Sequence, residues 1–541
     1  MKQGLYTFFS LFVCMALHSQ APEESKKHLY YHRYASAEAV LHDYLRQTPS
    51  DAEAWFLLTK SYFLQKEFQK ANDTLSLAPV TLREDPYFLI AKGSVSQVNN
   101  KNEGSRSYFD KAINITKGKD AAILAAVAEM EIISKNSDMT YALGVIQKAM
   151  KKDKNNASLY ILKGNAYRGL HNGGEAFRAY TNAAEKDKGL AEAYYLLGDL
   201  FLSQKNAELY LEYFTKAMQA DKNYGPAFYE LYQYHVYTKP DPGKAMHYFQ
   251  QYAMLSDKTI KHDYSYTDLL YLTKNYQSAI TTAKKLIHTE DNKVQPRIFK
   301  LIAYSYTELN DSLNAFEYMR QYFRHEVDSN LIVRDYETMG ELYLSRKETD
   351  SAVQYFQKAA TISNDPVKLY QYYKNLATIA ANNKEYAMQA KWMSLFCTGN
   401  VDISNVDLFN WGIAAYRANN YLLADSVFGL YTTKYPEQSF GYYWRARSNA
   451  VMDTAMTEGL AIPYYNKLIG IANKDSLSTT EKKWMLEAFA YLAAYETNIV
   501  KNYEKAIDYF DKILDLDPEN INAKKYIPIL EASAKKDRES N

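Results

Sequence analysis

Two histidines, one cysteine and a dense set of aromatic rings are the groups in this sequence whose types and spacing could do chemistry. His28 and His32 stand four residues apart on a segment that reads as a helix, which would put two imidazoles on one face where they could share a divalent metal. No third ligand accompanies them, and even a catalytic zinc needs three protein donors, so no metal site is assigned. Cys397 lies in SLFCTGN, with no cation or histidine beside it to favour a thiolate, and reads as an inert buried thiol. The sequence contains no HExxH helix, GxSxG elbow, GxxxxGK phosphate loop or CxxC pair. No catalytic residue and no cofactor are assigned, and the chain reads as a non-enzyme. That leaves the rings, above all 51 tyrosines, which must line surfaces or fill layers between elements.

The elements that carry them are helices. Only 20 Gly and 13 Pro punctuate 541 residues, too few for an all-β chain with a turn every ten residues or so. Hydrophobic residues make up 47% and charged residues 23%, a composition that can bury a core. Lys+Arg and Asp+Glu number 64 and 63, a balance that argues against nucleic acid as a partner. At the start, Lys2, the apolar run Leu5 to Leu17 and Ser19-Gln20-Ala21 form the three parts of a cleaved export signal. That run is too short to span a bilayer, and no later stretch is apolar enough to do so. The bulky Leu11-Phe12-Val13 before Cys14 argues against that cysteine as a lipid acceptor. An exported, periplasmic protein is expected.

Self-similarity organises the remainder. Tyr160-Ile-Leu-Lys-Gly164-Asn-Ala-Tyr167, followed by Ala176, Tyr180 and Ala183, is copied 34 residues on by Tyr194-Tyr-Leu-Leu-Gly198-Asp-Leu-Phe201, Phe214 and Ala217. Further copies include Tyr336, Gly340, Tyr343, Ala352, Phe356 and Ala359, and the last ends at Ala506, Phe510 and Pro518. This pattern resembles the tetratricopeptide repeat (TPR), a 34-residue helix-turn-helix unit with Leu-Gly, aromatic and Ala signatures.

The resemblance implies an all-α solenoid, a right-handed superhelix of about thirteen units. The units begin near Ala52, Pro86, Ile123, Ala157, Ala191, Gly225, Ile260, Pro296, Val333, Lys368, Asn405, Ser439 and Glu487. The expected organisation is a signal peptide over 1–21, a partial repeat or cap over 22–51, the array over 52–520, and a capping helix with a polar tail over 521–541. Small residues at Gly164, Gly198, Gly340 and Gly412 would let paired helices approach, while Phe109, Tyr180, Phe214, Phe249 and Phe356 fill the layer between units.

In TPR proteins the first helix of each unit lines a concave groove, with its fifth position pointing in. Here that position gives Tyr195, Tyr229, Tyr372, Phe409 and Tyr443 as candidates for binding a protein or peptide partner. The carboxylate clamp of chaperone-binding TPR domains is missing, since Ile161 stands before Asn165 and Tyr304 follows Lys300. A non-catalytic exported scaffold is the leading reading. The alternatives are a glycan-binding solenoid of the cell envelope, stacking sugars on Trp411, Tyr443 and Trp444, and a cryptic hydrolase using His28 and His32.

Overall fold

Each copy of the repeat folds as two helices because its two halves carry separate start and stop signals. In the copy at Ala191 the first helix spans Ala191–Ser203, and Lys205 then takes φ 57°, the left-handed turn that ends it. Asn206 follows and accepts the Leu209 N–H on its side chain, which starts Ala207–Ala220. The same two-residue device recurs at His171-Asn172, Asn419-Asn420 and Lys501-Asn502, with Asn310-Asp311 as its acidic version. These corners use Lys, His and Asn where glycine would be unstrained.

A computed structural model describes residues 21–98, 102–290, 294–363, 365–399, 402–472 and 477–540. The signal segment and Cys14, apart from Ala21, lie outside them. Among the described residues every regular element is helical, arranged in sequential antiparallel pairs. Two compact units result, one through Leu309 and one from Asn310. The expected starts hold at Ala52–Leu64, Pro86–Val98, Ala157–Gly169, Ala191–Ser203, Gly225–Gln233, Ile260–Leu272, Val333–Ser345, Asn405–Arg417 and Ser439–Met452.

Three boundaries differ. The last first-helix begins at Thr479, not near Glu487, because Ser478 and Glu481 form a reciprocal capping box that starts it two turns earlier. The segment over 22–51 is a full hairpin, Ala21–Tyr30 and Tyr34–Gln47, not a half-unit. The terminal helix runs Ile521–Ser540 and takes in the residues expected to form a polar tail. Gly225–Gln233 continues into a π-helical turn, Tyr234–Thr238, closed by the Lys239 N–H donating to the Tyr234 carbonyl.

The central glycines have a sharper role than expected. A Cβ on Gly198 would lie 2.6 Å from Phe214, and the same second-helix aromatic covers Gly93, Gly164, Gly340 and Gly412, sixteen residues on in each case. Phe109, Tyr180, Phe214 and Phe356 therefore seat on the glycine of their own unit rather than only filling the layer between units. Phe214 is 1% exposed and cannot move aside. Gly198→Ala is thus expected to destabilise the chain. Overpacking of about 1–3 kcal/mol outweighs the gain of about 1 kcal/mol in helix propensity. A thermal melt measures the sign, and faster hydrogen exchange should centre on Ala191–Ala220; an unchanged or raised melting temperature would contradict the close approach.

Candidate functional site

In the first unit the inner helices face a common interior. Lys60 pairs with Glu129 at 2.6 Å from two repeats away, and the half-buried Glu192 completes the group from a third. Burial, reinforced by the negative charge of Glu129, pushes the Glu192 carboxyl up to about 7, with Lys60 opposing the shift. Burial and then Asp199 push Glu230 up to about 7 as well, against the hydrogen bond it takes from Tyr195. An acid whose pKa rises on folding adds stability in full below its ordinary 4.5 and loses it as pH rises through about 7. Glu192→Gln should therefore flatten the pH dependence of stability between those limits and melt higher than the native chain at pH 8. Parallel melts of the two proteins from pH 4 to pH 8, showing the same slope, would refute the shift.

This interior is closed by the chain's own amino-terminal hairpin. The corner between Ala21–Tyr30 and Tyr34–Gln47 docks on repeats some two hundred residues later. The Tyr30 hydroxyl faces the N–H groups of Ala191 and Glu192 at a helix start that has no side-chain cap of its own. The Tyr31 hydroxyl donates to Asp221 at 2.8 Å, and Arg33 Nε donates to the Leu255 carbonyl at 2.6 Å. In return Asp257 accepts from the Ala35 N–H at 2.7 Å and from the Ser36 N–H and hydroxyl. Arg33 thus caps the end of Pro242–Leu255, and Asp257 caps the start of Tyr34–Gln47, where no local side chain does so. Capping is exchanged across 222 residues.

A cleft of about 530 Å³ lies against this corner. His32, Tyr34 and Ala35 form one wall; Tyr229, Phe249 and Tyr252 stand among the residues opposite. A recess of about 240 Å³ adjoins it, sharing His32, Tyr229, Tyr252 and Ser256 and reaching Tyr195 and Glu230.

The five expected groove residues do not form one accessible stripe. Tyr229 is 38% exposed and opens on the cleft. Tyr195 is half-buried between Phe214, Tyr224 and the His32 ring of the hairpin, so its face is filled by the chain itself. Phe409 is half-buried against Phe440, with ring centres 4.5 Å apart. Tyr372 and Tyr443 are 5% and 6% exposed, contrary to the expectation of open rings. Each lies across to a neighbouring repeat, where Glu337 accepts the Tyr372 hydroxyl and Glu487 accepts that of Tyr443 at 2.9 Å. They bind repeat to repeat, because a tyrosine at this position is long enough to reach a carboxylate on the first helix of a neighbouring repeat.

The other chemical candidates are placed as follows. His28 and His32 share no helix face: the helix ends at Tyr30, and His32 sits in the corner at φ 57° with its ring stacked on Tyr34. Among the described residues no group of three His, Cys, Asp or Glu could hold a metal ion. Trp411 is 5% exposed and, like Tyr443, offers no platform for a sugar; Trp444 is half-buried. Cys397 is buried, and that burial pushes its thiol up to about 12. Asn165 accepts the Tyr180 hydroxyl at 2.7 Å. The docked corner was missed in the sequence because its partners, Asp221, Leu255 and Asp257, belong to ordinary helix ends; the tyrosine pair Tyr30-Tyr31 beside the signal segment was its one visible trace.

Two profiles of the tetratricopeptide repeat match the chain, one at residues 25–87 and 161–224, the other at 336–366 and 491–520. Comparison with curated proteins finds no match. Among solved structures, the C-terminal part of a TPR repeat-containing protein from Cytophaga hutchinsonii is 28% identical, covering 48% of this chain and 98% of its own, with a TM-score of 0.30. PilF of Pseudomonas aeruginosa is 17% identical over 42% of this chain and 96% of its own, with a TM-score of 0.30. A tetratricopeptide repeat protein of Parabacteroides merdae is 14% identical over 53% and 96%, at 0.22. The profiles fall on paired helices and, at 161–224 and 336–366, on the glycine-aromatic contacts of the 34-residue unit, so the chain carries tetratricopeptide repeats.

Proposed function

We propose that the chain is an exported, non-catalytic scaffold that holds protein or peptide partners. The observation that carries this reading is the cleft beside Tyr229, an accessible aromatic surface on an array of a family whose repeats serve protein interaction. The near balance of positive and negative residues favours a protein over a polyanion. Export rests on the signal-like start and places the partners in the periplasm or envelope. With Trp411 and Tyr443 inside the core, the glycan alternative keeps only the half-buried Trp444 of its three expected stacking faces.

Crosslinked pull-down from envelope extract tests the reading directly. A defined protein partner recovered in stoichiometric yield supports it, and recovery of polysaccharide alone overturns it. Intact-mass analysis of the same material tests export. A mature chain starting at Ala21 or within two residues is expected, whereas retained Met1 in the cytosol, or an acylated Cys14, would replace that part of the proposal.

A further inference from the structure

The recess that adjoins the cleft holds a half-buried carboxylate without a cation. Glu230 takes the Tyr195 hydroxyl, and no Lys, Arg or His forms an ion pair with it among the described residues. Other carboxylates of the same interior are compensated: Glu129 pairs with Lys60 at 2.6 Å, and Asp199 pairs with Arg168. Around Glu230 stand Tyr31, Tyr195, Tyr229 and Tyr252, the last two with ring centres 5.0 Å apart. His32 of the hairpin adds no charge, because burial pushes its imidazole down to about 4. Arg33 lies 5.1 Å from the Tyr31 ring centre but donates to the Leu255 carbonyl, and Lys261 lines the outer cleft rather than the recess.

The second unit contains a filled counterpart. There the Arg447 guanidinium lies 5.6 Å from the ring centre of Tyr443, 5.2 Å from Trp444 and 5.7 Å from Tyr416, and its Nε reaches Glu487 at 3.2 Å. Tyr443 and Arg447 are the fifth and ninth residues of their repeat, and the same positions in the repeat at Gly225 are Tyr229 and Gln233. Rings and a carboxylate recur in the recess; the arginine does not. Tyrosine hydroxyls donate and accept, so hydrogen bonding alone would serve a sugar as well as a peptide, and charge is what selects the ligand. A neutral ligand would bury the Glu230 carboxylate further without compensating it. Ring faces attract a cation, and a planar guanidinium stacks on them while forking onto a carboxylate, which a lysine ammonium cannot do. The adjoining cleft of about 530 Å³ gives room for the main chain that carries such a group. We infer that the recess binds the guanidinium of an arginine side chain presented by a partner protein, an inference that rests on the scaffold reading above.

The test titrates the full chain with a fluorescent Gly-Ser peptide carrying one central arginine, with the same peptide carrying the neutral isostere citrulline, and with free arginine amide. Saturable binding of the arginine peptide is expected, about tenfold tighter than that of the citrulline peptide. Since the Glu230 carboxyl is pushed up to about 7, its charged fraction rises about tenfold from pH 6 to pH 8, and arginine binding should tighten by up to that factor. A ligand that prefers the neutral acid would weaken over the same range. Glu192 titrates there too, while Lys60 and Arg168 stay charged and His32 stays neutral, so Glu230→Gln assigns the effect. That variant should bind the arginine peptide no better than the citrulline one and lose the pH dependence. Gln233→Arg should supply the cation from within, three residues from Glu230 on the same helix, and block binding without lowering the melt. Binding that does not saturate, equal affinity for the two peptides, or a pH dependence that survives Glu230→Gln overturns the inference. Free arginine amide binding as tightly as the peptide overturns a partner protein as the source. Repeating the envelope pull-down with Gln233→Arg separates the two levels of argument. If the variant still captures the native chain's partner, the recess assignment fails and the scaffold stands; if the native chain captures none, the scaffold reading fails.

Discussion

Phe214→Ala is expected to remove about 3–5 kcal/mol of folding stability. The ring is 1% exposed, seats on Gly198, and contacts Tyr195 and Tyr210 with centres 5.6 and 6.0 Å away. Its loss leaves a cavity on both sides of the helix pair, and the glycine that accommodated it has no side chain to fill the space. Tyr195→Ala should behave as a milder version of the same change rather than as a surface truncation, because Tyr195 is wedged between Phe214, Tyr224 and His32. Tyr229→Ala should leave the melt nearly unchanged. Denaturant unfolding of the three variants side by side measures the order; a Tyr195 variant as stable as the Tyr229 variant would return Tyr195 to the open surface.

The second large effect belongs to the docked corner. Asp257→Ala removes the cap of Tyr34–Gln47, worth about 0.5–2 kcal/mol, and Arg33→Ala removes a charged hydrogen bond to Leu255, worth about 1.5–3 kcal/mol. The double variant should lose less than the sum, since either change alone loosens the same contact and the pair is coupled. Both singles should also raise hydrogen exchange at Ala35 and Ser36 and, at the far side, in Pro242–Leu255. Strict additivity, or exchange confined to the hairpin, would mean the two ends do not hold one another.

Much of the helical plan was legible in the sequence because it is local. Leu197-Gly198 with Phe214, Lys205-Asn206 at the corner and the 34-residue displacement each report on residues within one unit, where spacing and capping chemistry decide the outcome. The shift from Glu487 to Thr479 was also local, and Ser478 with Glu481 could have revealed it. The burial of Tyr372 and Tyr443 was not legible, since it depends on Glu337 and Glu487 in neighbouring repeats as much as on the tyrosines themselves. Nor was the cleft. Position five of a repeat says which way a side chain points, but Tyr229 is open while Tyr195 has the hairpin's His32 ring against it in addition to Phe214 and Tyr224, and no periodicity encodes contacts across 222 residues.

That long contact also dictates an order of assembly. A repeat array can stack as it is made, each unit settling on the last. The corner at Arg33 cannot finish in this way, because its partners at Leu255 and Asp257 leave the ribosome more than two hundred residues after it. At about 5–20 residues per second, the intervening chain takes on the order of ten to forty seconds to synthesise. For most of that interval Tyr30 and Tyr31 lack the later repeats, at Ala191, Asp221 and Tyr224, that they pack against. Closing so long a loop adds little penalty over closing a shorter one, since each doubling of length costs only about 0.6 kcal/mol. The delay is therefore kinetic. The hairpin made first waits for Asp257, and a nascent chain that stops short of that residue lacks the cap of Tyr34–Gln47 regardless of how many repeats have already stacked.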